Sequence, residues 1–204
     1  MKSKFLAKFI FLFILVFTNC VKDKVRYYEL TEAEKQLIPY KLGQVVSFSN
    51  SEGEIFDAVV KKDSTYWWVD VYTGFTDLYI HDNLRIVNLQ SDSVFFNMNL
   101  CISSYGKSIN IEISDFNLWF FLHFNINGKF YDDCNDYFNQ YIYDNLEIKT
   151  KIYYDVVEYI LLYANFYDIK VRERLPIRLL YNKTEGILQL EDKDKVLFTI
   201  TNNR

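Results

Sequence analysis

Two histidines, three cysteines and two acidic clusters are the residues of this chain whose types and spacing could do chemistry. His81 is followed by Asp82. Successive residues of a strand point to opposite faces, so the two form no dyad unless they sit in a turn. His123 shares a strand face with Trp119, Phe121 and Asn125. There it could be a ligand or proton carrier, or a plain strand histidine beside aromatic rings. Asp132, Asp133 and Asp136 surround Cys134, and Glu191, Asp192 and Asp194 close a later apolar run. Neither cluster has the D-x-[DN]-x-[DN]-G spacing that wraps a loop around calcium, so no metal centre is expected. Acid–base catalysis would require one of Asp132, Asp133 or Asp136 to converge with His123 in a cleft.

Catalytic motifs are missing from the sequence. It contains no G-x-S-x-G, H-E-x-x-H, phosphate-binding loop or G-x-G-x-x-G, so neither an enzymatic activity nor a cofactor is expected. Cys101 and Cys134 could pair in an oxidising compartment, closing a loop of about 33 residues worth about 3.7 kcal/mol. The alternative is two free thiols. Aromatic groups are the other candidate chemistry, in Tyr66-Trp67-Trp68, Trp119-Phe120-Phe121 and Tyr153-Tyr154. Rings on a β scaffold can stack on sugars or line an apolar cavity, or they can simply fill a core.

The elements that would position these groups are strands. Val46 and Phe48 alternate with Ser47 and Ser49; Phe96, Met98, Leu100 and Ile102 with Asn97, Asn99, Cys101 and Ser103; Ile109, Ile111 and Ile113 with Asn110, Glu112 and Ser114. Residues 119–126 and 196–201 repeat the pattern. Such alternation marks half-buried strands of an antiparallel sheet. Asn127-Gly128 is read as a two-residue hairpin turn, and Lys183-Thr184-Glu185-Gly186 and Asp192-Lys193-Asp194 as further turns. Thr31-Glu32-Ala33-Glu34 has capping-box spacing and predicts one short helix stopped by Pro39. Between Asp132 and Tyr167 periodicity does not decide between strand and helix. The expected fold is mainly β: an antiparallel sandwich or partly open barrel of about ten strands, with one short N-terminal helix.

The N-terminus carries a different signal. Lys2, Lys4 and Lys8 precede the apolar run Phe9–Phe17, followed by Thr18, Asn19 and Cys20. Nine apolar residues are too few for a membrane span, which needs about 20. The arrangement resembles the signal peptide of a bacterial lipoprotein, whose first mature residue is a cysteine carrying diacylglycerol. Asn19 stands where that family has a small residue. The resemblance implies lipidation of Cys20, and Val21 in place of aspartate implies the outer membrane. The segment from Leu179 to Asp192, with Leu30–Tyr40 near the start, is similar to small bacterial outer-membrane lipoproteins that have no assigned activity.

The resulting organisation is a signal peptide over 1–19, a lipidated tether over 20–30 and a single β domain over 31–204. The chain has 204 residues, 27 acidic and 23 basic, with a formal charge of −4. Losing Lys2, Lys4 and Lys8 takes the mature protein to −7. That charge gives no footprint for nucleic acid. Half the residues are hydrophobic and 19% aromatic, which excludes a disordered chain. The function expected is a lipid-anchored cell-envelope protein, its membrane partner reached through Cys20, that binds an unknown ligand or envelope protein without catalysis. The alternative is a periplasmic carrier holding lipid or another apolar ligand in a barrel cavity.

Overall fold

A computed structural model describes residues 24–73, 77–125, 127–134, 136–162 and 172–203. The expected signal peptide and Cys20 lie outside the described residues.

Thirteen strands and one helical turn make up the fold. They are β1 (Lys24–Tyr28), α1 (Glu32–Lys35), β2 (Val45–Asn50), β3 (Ile55–Tyr72), β4 (Leu78–Ser91), β5 (Phe96–Ser103) and β6 (Ser108–Ile113). After a 3₁₀ turn (Ser114–Phe116) come β7 (Leu118–His123), β8 (Asp133–Cys134), β9 (Phe138–Ile148), β10 (Lys151–Leu161), β11 (Ile177–Asn182), β12 (Gly186–Glu191) and β13 (Val196–Asn203). Hydrogen bonding orders twelve of them β7-β6-β5-β4-β3-β2-β13-β12-β11-β10-β9-β8, with β1 added to β4. The undecided segment is strand: β10 pairs antiparallel with both β9 and β11. The strand number is close to the expected ten; the additional strands include β1 and the two-residue β8, which are too short to establish a period.

Within the expected tether Lys24–Tyr28 is a strand, its Val25 and Tyr27 alternating with Lys24 and Arg26, which suits a sheet edge. Among the described residues, 24–27 with 69–73 and 77–81 make a smaller compact unit, and the rest a larger one. In the smaller unit the Lys24 amide donates to the Asp77 carbonyl at 3.0 Å, and Tyr27 stacks on His81 at 4.5 Å between centroids.

The larger unit is an antiparallel sheet curled into a nearly closed barrel. Alternation builds its interior. Met98, Leu100, Ile102, Ile109, Ile111, Ile113, Leu118, Phe120 and Leu122 are all buried. Phe48 packs against Phe56, Phe96 and Phe198 with ring centroids 5.6, 5.4 and 5.3 Å away. Each large side chain removed from water in this way contributes about 1.5–3 kcal/mol.

β7, one end of the path, is hydrogen-bonded to β9, the strand next to the other end, through a side chain. Gln140 of β9 is fully buried, and its Oε1 accepts from the His123 amide at 2.9 Å. Its Nε2 donates to the carbonyls of His123 at 2.9 Å and Tyr131 at 2.6 Å. The carboxamide thus does for β7 what a neighbouring strand's peptide group would do.

Residues 31–40 are held against the barrel interior. The capping box forms as expected, Glu34 N donating to Thr31 Oγ1 at 3.2 Å and Thr31 N to Glu34 Oε2 at 2.8 Å. The helix lasts one turn, and the segment after it is tied down by tertiary bonds. Arg85 of β4 donates to the carbonyls of Lys35, Ile38 and Tyr40 and to both oxygens of Asp63. The fully buried Glu34 pairs with Lys107. Burial opposes ionisation of Glu34, but Lys107 and the Thr31 bonds outweigh it and hold the carboxyl below the usual range. The Tyr40 hydroxyl accepts from Ile187 N at 2.8 Å, and Tyr181 donates to the Leu37 carbonyl.

The Asn127-Gly128 turn is wider than the expected two-residue loop. Gly128 N donates to the Asn125 carbonyl at 2.9 Å, and Asn125 N to the Lys129 carbonyl at 2.8 Å. Gly128 takes a φ of 67°, and the Asn125 side chain accepts from Asn127 N and Lys129 N.

Candidate functional site

The aromatic residues divide between core and surface. Phe120 and Tyr153 are buried, whereas Tyr66, Trp67, Trp68, Trp119, Phe121 and Tyr154 are exposed. Strand alternation explains the split on β7 and β10, whereas Tyr66, Trp67 and Trp68 are consecutive and all exposed. Trp119 and Phe121 flank Phe120 on the opposite face of β7.

That outer face carries a polar row. Cα register aligns Asn88 of β4 with Asn99 of β5, Asn99 with Glu112 of β6, and Glu112 with Trp119 of β7. The parallel row beside it runs Ile86, Cys101, Asn110, Phe121. Asn88 Nδ2 donates to Asn97 Oδ1 and Asn99 Oδ1, both at 2.8 Å, and Asn99 Nδ2 donates to Glu112 Oε2 at 3.2 Å. Asn88, Asn99, Cys101, Asn110, Glu112 and Trp119, with Lys62 of β3, line an open groove of about 430 Å³. Ligand pockets usually fall at about 300–1,000 Å³, with a few polar groups that set orientation.

Two other clefts among the described residues are smaller. A cleft of about 150 Å³ lies among Phe56, Phe95, Phe96, Phe116 and Phe198, and another of about 280 Å³ among Phe130, Ile142, Asp155 and Lys183. The outer face of β9–β12 is polar but self-satisfied. Arg178 bonds Glu158 and Glu191, Tyr143 donates to Glu158 at 2.6 Å, and Gln189 donates to Glu191 at 2.7 Å. The hydrogen bond to Glu158, with burial behind it, pushes the Tyr143 phenol up to about 12.

No model of a known protein family matches the chain. Neither does any curated protein or solved structure.

The residues singled out in the sequence fare differently. His123 Nδ1 lies 3.1 Å from Asp133 Oδ2, so the structure does bring one acidic-cluster residue to this histidine. The rings of Phe138 and Tyr131 stand beside it, at 5.5 and 6.5 Å between centroids. Ser108, its register partner on β6, donates instead to Asn110 Oδ1 at 3.2 Å. Asp132 accepts from Ile142 N at 2.8 Å. Asp192 caps its turn, accepting from the amides of Asp194 and Lys195 at 3.0 Å each, and it pairs with Arg174. Among the described residues no three His, Cys, Asp or Glu side chains converge as metal ligands. Asp82 accepts from Ser103 Oγ at 2.6 Å and Tyr105 N at 2.8 Å, so its oxygens are engaged in structure.

Cys101 and Cys134 do not pair; both are free thiols. Cys101 belongs to β5, third from one end of the strand path, and Cys134 to β8 at the other end. Burial, with Asp82 behind it, pushes the Cys101 thiol up to about 11. Only about one molecule in a thousand therefore carries the Cys101 thiolate at pH 8. Iodoacetamide titrated against the full chain carrying Cys20→Ala should label the exposed Cys134 first. Labelling of Cys101 should accelerate as pH rises toward 11. Equal rates at pH 8 would contradict this geometry.

The outer row was not picked out in the sequence. Its signal was present in the polar phases of β5 and β6, but alternation alone shows which residues face outward. It does not show which of them are neighbours.

Proposed function

We propose that this is a lipid-anchored protein of the cell envelope, most simply the outer membrane, that binds a ligand or envelope partner without catalysis. The observation that carries the binding part is the groove on the outer face of β4–β7, the largest of the described clefts. Its amide and carboxylate groups stand in register with an exposed indole.

The carrier alternative needs an apolar interior cavity. Among the described residues the interior is occupied by rings and aliphatic side chains, and the aromatic cleft of about 150 Å³ is below the size of most ligand pockets. This favours the surface-binding reading.

The anchor rests on the lipoprotein-like leader. The exposed side chains of the smaller unit support it. Lys24 starts β1 four residues after Cys20, a reach of at most about 14 Å for an extended chain. Val25, Tyr27, Val69, Val71 and Tyr72 are exposed there. Tyrosine and aliphatic surface beside an acylated cysteine suits the headgroup region of a bilayer. With net charge −7 on the mature chain, the acyl chains rather than electrostatics would supply the attraction.

Metabolic labelling with an alkyne palmitate analogue tests the anchor. Wild type should incorporate the label and fractionate with membranes, and Cys20→Ala should lose both. Retention of label in the variant would overturn the proposal.

A further inference from the structure

The groove on β4–β7 has chemistry specific enough to name its ligand class. We infer that it is a binding site for a neutral, hydroxyl-rich saccharide, with Trp119 as the stacking platform and Asn88, Asn99, Asn110 and Glu112 as the hydroxyl-binding groups. This deepens the binding-domain reading and rests on it.

Three observations converge. The first is length. Four residues in register across four strands span about 14 Å at the usual inter-strand spacing, a flat strip that suits a short run of sugar rings rather than a single small ion. The second is hydrogen-bonding capacity left over after the protein has satisfied itself. Asn88 is only 9% exposed, and its Nδ2 is spent on Asn97 and Asn99. Its Oδ1, which accepts from none of the described residues, remains for a ligand donor. Glu112 uses Oε2 for Asn99 and keeps Oε1, and Asn110 uses its carbonyl for Ser108 and keeps its amide hydrogens. Acceptors on Asn88 and Glu112 thus stand in one row and donors on Asn110 in the row beside it. A vicinal diol needs both, because each hydroxyl donates once and accepts once or twice. Leaving the nearly buried Asn88 carbonyl without a partner is costly, so a ligand that pairs it gains more than one that does not.

The third is the apolar end. Trp119 is 41% and Phe121 43% exposed, at the β7 end of the two rows. A pyranose offers a face of C–H bonds edged by hydroxyls, so one ring can lie on the indole while its rim meets the amides. Other ligand classes fit less well. Lys62 and Glu112 give the groove one charge of each sign, which selects against a strongly anionic or cationic ligand. A fatty chain would strand the amides, and an added peptide strand would need a sheet edge rather than a face.

Saturation-transfer NMR on the full chain in mild detergent provides the test, with gluco-, manno- and galacto-configured and N-acetylated neutral trisaccharides as probes. At least one trisaccharide should show saturable transfer. Trp119→Ala should weaken it by about tenfold or more, Trp119→Phe should restore most of it, and Phe95→Ala, on a different exposed ring, should leave it unchanged. Asn88→Leu should also weaken binding, while circular dichroism reports whether that variant still folds. Two results overturn the inference: no transfer from any probe at about 10 mM, or binding that survives Trp119→Ala. If sugars fail while native mass spectrometry of the wild type retains another ligand or a protein, the saccharide site falls and the binding domain stands. A bare chain in both assays would remove both.

Discussion

Gly186→Ala is expected to destabilise the larger unit by about 3–5 kcal/mol, a large part of the total stability of a domain this size. Gly186 opens β12 with a φ of +83°, in the left-handed region that an L side chain rarely adopts. More decisive is what a methyl group there would meet. A Cβ would overlap the Tyr40 hydroxyl oxygen and Cζ and stand 2.8 Å from Cε2. Tyr40 cannot give way, because it is fully buried and its hydroxyl accepts from the Ile187 amide at 2.8 Å. Burial also keeps that phenol protonated, its pKa pushed far above the usual value. Overpacking on an anchored ring adds to the backbone strain. Urea unfolding of the full chain followed by circular dichroism measures the loss. The double variant Gly186→Ala, Tyr40→Leu should be less unstable than the sum of the singles, since the second change removes the obstacle created by the first. A Gly186→Ala midpoint within experimental error of wild type would refute this account.

The second large effect is expected at Arg85. Arg85→Met should cost about 3–5 kcal/mol, because it leaves a partly buried carboxylate and three carbonyls without their donor. The guanidinium is only 12% exposed and donates to Asp63 Oδ1 at 2.8 Å and Oδ2 at 2.9 Å. It also reaches Ile38 O at 2.8 Å and Tyr40 O at 2.7 Å. One planar fork thus holds the chain after α1, which has no further helical turns to stabilise it. Arg85→Lys should recover only part of the loss, since an ammonium keeps the charge and not the fork. The two sites converge on one segment, because Tyr40 is bonded by Arg85 through its carbonyl and packed against Gly186 through its ring. Their effects should therefore couple when combined. If Arg85→Met unfolds at the same urea concentration as wild type, residues 31–40 do not depend on this anchor.

Much of the scaffold was legible because strand alternation is a local property. The inward phases of β5, β6 and β7 follow from their own residues, and so does the capping box at Thr31 and Glu34. Other features had no local signature. Gln140 sits in a polar and aromatic stretch without clean periodicity, yet its carboxamide joins β9 to β7, one end of the strand path. Arg85 reads as an ordinary charge in a mixed strand, and Lys107 as a turn residue, although each is paired with groups far away in the chain. Gly186 was recognisable as a turn glycine, but the ring against which it rests lies 146 positions earlier.

The candidate site shows the same division. Sequence by itself determined that the protein is mainly antiparallel β, because strand patterning is written in consecutive residues. It also showed Asn99, Glu112 and Trp119 as outward-facing residues of separate strands. Only the tertiary structure decided that they stand in one row beside Asn88, that Asp133 meets His123 while Cys101 and Cys134 stay apart, and that residues 69–73 and 77–81 group with 24–27. Register and closure are set by hydrogen bonds and packing between distant segments. Those carry no local period, and a slip of one residue would send every side chain of the row to the opposite face.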